Sequence, residues 1–130
     1  MIEITYGVPE NLIIAAGHGK VTADDYEKVL VPAVEEALRK HKKIRFLYYI
    51  DADFDGFTAG AMWDDAKLGF SHFNAFEAVA IVTDVHWVVD MVKFFSLFFR
   101  CPVKTFGNAK YDEALDWVSK VAWRNLREAA

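Results

Sequence analysis

Three aspartates occupy alternate positions in the segment Asp51-Ala52-Asp53-Phe54-Asp55-Gly56. The segment follows a nearly continuous apolar run, residues 44–50, which is typical of a central strand covered on both faces. Because open α/β sheets place their ligands at the carboxyl ends of such strands, this loop is the first candidate for chemistry. Carboxylates at this spacing can bind a metal ion, attack phosphorus or close a turn.

The residues around these aspartates separate the three roles. A calcium loop has oxygen ligands at alternate positions and a glycine at the sixth, as here, but Met62 stands at the twelfth position, where a bidentate Glu belongs. A metal-dependent phosphatase of the haloacid-dehalogenase type uses paired aspartates that Asp51 and Asp53 resemble, but this chain leaves no room for a cap. We therefore favour a turn whose aspartates bond their own backbone, and we keep the phosphatase as an alternative.

The other reactive side chains form no recognisable site. The four histidines share no metal-ligand spacing and stand near no cysteine in the sequence. Cys101, the only cysteine, precedes Pro102 without identifiable partners, which favours an inert thiol. No serine lies in a Gly-x-Ser-x-Gly motif. We predict a protein that is not an enzyme, with no catalytic residue, no metal and no cofactor.

The most unusual segment is the predicted third helix, at about residues 85–99, because it is apolar on almost all sides. Two adjacent stripes at helical spacing carry its large side chains. A monomer rarely leaves such a surface exposed without using it. Burial of three or four aromatics of ~150 Å² each would contribute on the order of 10 kcal/mol before the cost of association. The first stripe is Trp87, Met91, Phe94 and Phe98, and the second is Val88, Val92, Phe95 and Phe99.

This surplus of apolar surface predicts that the third helix forms an interface or a ligand-binding site. A homodimer is the leading use, and a pocket for a lipophilic small molecule or a contact with a membrane surface comes next. A helix that is covered entirely by its own fold is the alternative. The residues assigned to the site are Trp87, Met91, Phe94, Phe95, Phe98 and Phe99.

The first half of the chain predicts a hairpin, a helix and a central strand. Residues 2–6 and 12–16 form the hairpin, and Thr22 begins a capping box that opens the first helix. Pro32 lies inside this helix and should bend or split it, because proline lacks the backbone N–H and clashes with the preceding turn. The strand at residues 44–50 then leads into the aspartate loop.

The second half continues the alternation. Thr58 can cap a second helix, and strands at residues 78–82 and 102–106 alternate with the third and fourth helices. The order β-β-α-β-α-β-α-β-α predicts an α/β fold with a mostly parallel mixed sheet of about five strands, an antiparallel N-terminal hairpin and four helices. We expect one domain, residues 1–130. The inner stripe of the second helix is predicted as Met62, Ala66, Gly69, Phe70 and Phe73.

Composition restricts the class of protein further. The 130 residues are 54% hydrophobic with a formal net charge of −4, which excludes a disordered chain and argues against a nucleic-acid partner. No apolar run approaches the ~18 residues needed to span a bilayer, and the N-terminus does not resemble a signal peptide. The single cysteine favours a reducing compartment, so we expect a cytoplasmic protein.

With these elements in place, the chain resembles the SpoIIAA-like family, small bacterial proteins of the STAS type named for an anti-sigma-factor antagonist. The resemblance rests on the opening hairpin, the proline-containing helix segment at residues 26–32, the start of the third helix at residues 82–87, and residues 111–117 in the fourth helix. It implies a β-α superhelix, no catalytic machinery, and a role in binding a protein partner or a hydrophobic ligand.

The resemblance also implies a possible regulatory loop, formed here by Asp51, Asp53, Asp55 and Thr58. Antagonists of this type carry a phosphorylatable serine at the start of the helix that follows the third strand. This chain has no serine between Asp51 and Phe70, and Thr58 is the only hydroxyl there. A phosphate on Thr58 would meet the like charge of the aspartates, which opposes a switch of that kind.

Overall fold

In the computed structural model of the protein, residues 1–72 and 74–121 are described, apart from the side chains of Gly69, Phe70 and Phe98. Five strands form one sheet in the order β1-β2-β3-β4-β5, with β1 and β2 antiparallel and the other neighbours parallel. The mixed sheet and the N-terminal hairpin predicted from the sequence are confirmed. The strands are β1 (Ile2–Tyr6), β2 (Leu12–Gly17), β3 (Ile44–Ile50), β4 (Phe76–Val82) and β5 (Val103–Phe106).

Three helices connect β2 to β5 and a fourth follows β5, in the predicted order, within the residues that the structure describes. Helix α1 covers residues 23–40, α2 is Ala59–His72, α3 is His86–Phe95 and α4 is Tyr111–Lys120. Short 3-10 turns follow α3 at Ser96–Phe98 and precede α4 at Asn108–Lys110.

Helix α1 begins and changes form where its sequence requires. The capping box is present: the Asp25 amide donates to Thr22 Oγ1 at 3.3 Å, and the Thr22 amide donates to Asp25 Oδ2 at 2.8 Å. Ahead of Pro32 the segment Tyr26–Leu30 is π-helical, and the Val31 amide donates to the Tyr26 carbonyl. The irregularity predicted from Pro32 is therefore a widened turn, which maintains backbone hydrogen bonding where the proline has no N–H to offer.

The two faces of the sheet are covered differently. Side chains alternate along β3, so that Phe46 and Tyr48 point to one face while Leu47 and Tyr49 point to the other. Helices α1, α2 and α3 cover the first face, which we call the cavity face, and α4 covers the second, which we call the α4 face.

Arg45 is the charged residue inside the predicted central strand, and it anchors α4. Its guanidinium donates to the carbonyls of Val118 at 2.8 Å and Val121 at 2.6 Å, which are orphan acceptors at the end of that helix. Its Nε lies 3.1 Å from the carboxylate of Glu77, at an irregularity in the β3–β4 register. Hydrogen bonding of this kind makes a buried arginine tolerable inside a strand.

The predicted inner stripe of α2 is wrong, because a different side of the helix faces the core. Met62 is 42% exposed, whereas Ala61 is fully buried and Leu68 is 7% exposed. The stripe was chosen from apolar residues alone, but the inner side of α2 also carries two aspartates, Asp64 and Asp65, next to Ala61 and Leu68 on the helix wheel. The remaining predicted positions, Gly69, Phe70 and Phe73, lie outside the described side chains.

Candidate functional site

Helix α3 has one buried side and one open side. Thr83 stabilises the turn before the helix, since its Oγ1 accepts a hydrogen bond from the Val85 amide at 3.0 Å. Val88 is 2% exposed, and Val92 and Phe99 pack partly buried against the core of the cavity face. The second of the two predicted stripes is thus the inward one.

Two residues of the first predicted stripe, Trp87 and Phe94, face outward, whereas Met91 lines the cavity described below. Trp87 is 46% exposed, Phe94 is 60% exposed, and the neighbouring Leu97 is 79% exposed. Met91 is half-buried, and the rings of Phe94 and Phe95 meet edge-on at 5.4 Å. The side chain of Phe98 lies outside the described set. Within the described residues, the fold therefore leaves several of the large side chains of this segment in contact with water.

A cavity of about 110 Å³ lies between the inward side of α3, helix α2 and the sheet, partly open to solvent. We call it the α3 cavity. Phe46 and Val79 form its floor on β3 and β4, while Val92 and Phe95 of α3 border it from above. Its described lining is almost entirely apolar, as is usual for small-molecule sites, which combine apolar walls with few polar groups.

Three described lining residues carry polar side-chain atoms: Asp65, Tyr48 and Ser96. The Ser96 hydroxyl donates to the Lys93 carbonyl at 2.7 Å, whereas Asp65 and Tyr48 form a hydrogen-bonded group with the buried Tyr26. The hydroxyl of Tyr26 donates to Asp65 Oδ1 at 2.8 Å, and the hydroxyls of Tyr26 and Tyr48 lie 3.1 Å apart. Asp65 and Tyr48 line the cavity, and Asp65 is the one charged residue among the described lining residues. Asp65 remains exposed, whereas Tyr26 is fully buried and Tyr48 is 4% exposed, so the carboxylate marks the open end of the group.

Desolvation raises the pKa of all three groups. This includes Asp65, whose carboxyl group lies at the apolar lining although the residue as a whole is exposed. Desolvation raises the pKa of Asp65, and the hydrogen bond from Tyr26 opposes that rise only in part. Desolvation also raises the pKa of Tyr26 well above its ordinary value, with the neighbouring Asp65 charge adding to the effect. The pKa of Tyr48 is raised too, again chiefly by burial. Both phenols therefore remain protonated and act as neutral hydrogen-bonding groups.

The aspartate loop lies at the carboxyl end of β3, where the sequence analysis places it, and it is structured by its own backbone. The Asp53 amide donates to Asp51 Oδ1 at 2.9 Å, which is the bond that the turn interpretation predicts. The Asp55 amide donates to the Gly19 carbonyl at 2.7 Å. Gly56 completes the turn at φ +102°, a backbone conformation that favours glycine.

Asp51 has a specific partner that the sequence analysis missed. Its carboxylate is in direct hydrogen-bonding contact with His18 Nδ1, at the end of the neighbouring strand β2. This contact raises the pKa of His18 above its ordinary value, against the opposing effect of desolvation, and Glu3 at 3.5 Å from Nε2 adds to the rise. The pair joins β2 to β3 at the carboxyl ends of these two interior strands.

The structure brings part of the aspartate loop to the start of α3. The Trp87 ring lies 6.4 Å from that of Phe54 and 6.0 Å from that of Phe57, between which Asp55 and Gly56 stand in the sequence. Thr58 acts as the N-cap of α2, since its Oγ1 accepts a hydrogen bond from the Ala61 amide at 3.1 Å.

The structure supplies no cluster suited to a metal in the parts it describes. Among residues 1–72 and 74–121, no three His, Cys, Asp or Glu side chains come close enough together to hold an ion. Burial raises the pKa of the Cys101 thiol to about 11, so it is a poor nucleophile at neutral pH. No helix within the described ranges is long and apolar enough to cross a bilayer.

The sequence analysis missed Tyr26, Tyr48 and Asp65 as site residues. A signal for Asp65 was present, because it lies four residues after Ala61 and three before Leu68, about 40° from Ala61 on the helix wheel. No sequence pattern joins Tyr26, Tyr48 and Asp65, because they belong to three different elements.

Comparison with known proteins identifies this arrangement. The model of the SpoIIAA-like family matches residues 12–119. The chain belongs to the SpoIIAA-like family. The stretch that matches includes the whole aspartate loop, the Tyr26–Tyr48–Asp65 group and α3, so both candidate sites lie within the SpoIIAA-like part of the chain.

A solved SpoIIAA-like structure agrees with the fold. The chain is similar to an uncharacterised protein of the DUF3478 family with a SpoIIAA-like fold from Shewanella loihica PV-4, at 31% sequence identity and a TM-score of 0.71. The similarity covers 91% of this chain and 92% of that one. No curated protein matches. The family resemblance inferred from the sequence is confirmed, and no activity comes with it.

Proposed function

We propose that the protein is a non-enzymatic binding module that takes up an apolar small molecule in the α3 cavity. The observation that carries this proposal is the cavity itself, since an apolar cavity that remains dry is a binding site for hydrophobic molecules of matching size. The core of a well-packed domain normally has few voids larger than a water molecule. A space of about 110 Å³ beneath α3 therefore costs packing energy, which bound ligand would recover.

The position of the cavity favours reversible uptake. Val92, Phe95 and Phe99 separate it from solvent on the α3 side, and all three are only partly buried. A small outward movement of α3 would widen the opening without disturbing the sheet. Helix α3 therefore borders the cavity on its inner side and carries the exposed rings of Trp87 and Phe94 on its outer side.

Toluene, which carries no hydrogen-bonding group, tests this function directly. We expect saturable chemical-shift changes at the methyl groups of Val79 and Ile81 in NMR spectra, with no comparable change at Val82 and Val118 on the α4 face. Shifts spread evenly over both faces, or none, would reject the α3 cavity as a ligand site.

Two phenylalanine variants on the same helix provide the matched control. Val92 lines the cavity, whereas Val89 is on α3 but does not. Val92→Phe should fill the space and abolish toluene binding, and Val89→Phe should leave it unchanged. Thermal unfolding of both variants confirms that each is folded.

A second copy of the chain is the second candidate partner, and the observation that favours it is the exposure of Trp87, Phe94 and Leu97 on the outer side of α3. A homodimer of this kind would act through protein contacts, as the leading sequence hypothesis holds. Light scattering after size exclusion should then give twice the monomer mass at micromolar concentration, and Phe94→Asp should give the monomer mass. A monomeric wild type would reject it.

The remaining sequence predictions stay as predictions. A cytoplasmic location rests on cysteine content, and a phosphatase would require the Asp51 loop to carry a metal. Thr58 as a regulatory hydroxyl would place a phosphate at the N-terminus of α2, where its Oγ1 now accepts the capping hydrogen bond from the Ala61 amide.

A further inference from the structure

Tyr26, Tyr48 and Asp65 have two hydroxyl protons between them when Asp65 is ionised. The hydrogen bonds in which these protons are used determine which ligand head groups the site can bind. Tyr26 gives its single hydroxyl proton to Asp65, so the hydrogen bond between the two phenols is donated by Tyr48. Both phenol protons are then used. The groups that remain toward the cavity are acceptors: the second carboxylate oxygen of Asp65 and a lone pair of the Tyr48 oxygen.

The charge around Asp65 is not neutralised. Among the described residues, no Lys, Arg or His forms an ion pair with it. Its sequence neighbour Asp64 is 9% exposed and interacts with Glu27 across the groove between α1 and α2, and Lys67 is the cation that acts on this second acidic pair. An ionised carboxylate that lines an apolar cavity and has no ion-pair partner among the described residues favours a ligand with a cationic head, which can form a charge-assisted hydrogen bond with it.

The size of the cavity limits the apolar part of the ligand. A cavity of about 150 Å³ in another protein binds benzene. The α3 cavity, at about 110 Å³, is suited to a short alkyl chain or a small ring. Because Asp65 stands at the exposed end, a polar head can remain near solvent while the apolar part enters.

We propose, resting on the function proposed above, that the ligand is a lipophilic amine whose ammonium head is held by Asp65 and Tyr48, and that an alcohol with the same apolar part binds more weakly. The same geometry disfavours fatty acids, because a carboxylate head would face the Asp65 charge and a group with no proton left to donate. The cavity therefore selects its ligand by the sign of the head group rather than by the apolar part, which is common to all three classes.

Three six-carbon probes with the same chain test the selection: n-hexylamine, n-hexanol and n-hexanoate. Titrations at pH 7, followed by NMR shifts of the Val79 and Ile81 methyl groups, should rank their affinities in that order. We expect the amine to bind about tenfold more tightly than the alcohol, as one charge-assisted hydrogen bond would give. Hexanoate should bind more weakly than both.

Two variants of equal charge change separate the site from the general acidity of the chain. Asp65→Asn keeps an oxygen for the Tyr26 hydroxyl but removes the charge, so it should remove the tenfold preference for hexylamine over hexanol. Asp90→Asn, at an exposed position of α3, should retain the preference.

The outcomes distinguish this inference from the function on which it rests. If toluene and hexanol bind in the cavity but hexanoate binds as tightly as hexylamine, the assignment to Asp65 is wrong and the apolar site survives. If Asp90→Asn weakens the amine as much as Asp65→Asn does, the preference is a property of net charge, and the assignment is again overturned. If none of the probes shifts the cavity methyl groups, both proposals fall.

Discussion

The two faces of the sheet are built from the same strands but are packed in opposite ways. On the α4 face, β4 contributes Ala78 and Ala80, and α4 contributes Ala114 and Val118, all fully buried. Small side chains allow the helix to approach the sheet closely. On the cavity face, the strands present large rings such as Phe46, which lies 6.1 Å from Phe76 and 5.7 Å from Tyr48. Phe46, Tyr48 and Phe76 line the α3 cavity, which lies between them and α3.

Because of this difference, we expect changes on the α4 face to alter mainly stability and changes on the cavity face to alter mainly the proposed ligand binding. The α4 face combines close packing with the hydrogen bonds of Arg45 to the end of α4, so a change there should affect folding. The cavity face contains the α3 cavity and Asp65, which has no ion-pair partner in the part of the chain that the structure describes, so under the proposed function a change there should affect ligand uptake with a smaller cost to folding. A natural protein that sits near its stability threshold can retain a cavity only if other regions stabilise the fold.

The largest expected effect is on the α4 face. Arg45→Met should lower the free energy of unfolding by about 2–3 kcal/mol, because it leaves the Val118 and Val121 carbonyls and the Glu77 carboxylate without their partner. Urea unfolding measures the loss. Arg39→Met, which breaks an exposed ion pair with Glu36, is the control and should change stability by less than about 0.5 kcal/mol. Equal losses in the two variants would mean that Arg45 does not anchor α4.

Adjacent residues of β4 offer the sharpest comparison of the two faces. Ala80→Val adds carbon atoms to the α4 face and should destabilise the protein by about 1–3 kcal/mol through overpacking. Val79→Ile adds one to the cavity face, where there is room, and should be neutral or stabilise by up to about 1 kcal/mol. Urea unfolding of the two variants side by side gives the result, and a loss of the same size at both positions would abolish the distinction between a filled and an open face.

The contribution of the His18–Asp51 contact to stability, at the carboxyl ends of β2 and β3, should depend on pH. The folded state raises the pKa of His18 above its unfolded value of about 6.5, so the stabilisation is fully present below that pH and is lost as pH rises through the folded pKa. The wild type should exceed His18→Gln in free energy of unfolding by up to about 1 kcal/mol at pH 5.5, and the excess should shrink by pH 9. In the Asp51→Asn background this pH dependence should shrink to the smaller part that Glu3 contributes, and an undiminished dependence would mean that Asp51 is not the main cause.

The smallest effect is expected from the acid at the cavity. Because the folded state raises the pKa of Asp65, its ionised form disfavours folding, and the stability it contributes is present below an unfolded pKa of about 3.9 and lost above the folded pKa. Asp65→Asn should therefore gain stability relative to wild type as pH rises from 3 to 7, by about 0.5 kcal/mol since the group is partly exposed. Urea unfolding at the two pH values measures it, and a loss for Asp65→Asn at pH 7 would show that the ionised carboxylate supports the fold.

Much of the fold could be predicted from the sequence because its signals are local. The apolar run at β3, the capping box at Thr22 and the alternation of strands with helices each depend on residues close together in the chain. The prediction failed for α2, where two aspartates lie on the inner side and an apolar pattern alone chose the wrong rotation. Burial of Asp64 and Asp65 depends on Tyr26 and Glu27 of another helix, which no local pattern shows.

The site was predicted in part for the same reason. The apolar excess of α3 is visible in its sequence, so the segment was identified. Whether its two stripes face inward, outward or a cavity depends on how α3 packs over β3 and β4, which are distant from most of it in the sequence. A cavity is a property of the assembled fold and has no counterpart in residue order.

Diffraction from crystals pressurised with xenon tests the central claim most directly, because xenon enters dry apolar cavities without needing a polar contact. The account predicts one ordered xenon atom between Phe46, Val79 and Val92, and none between α4 and the sheet. An α3 that lies flat on the β-sheet with no space for the gas would contradict it.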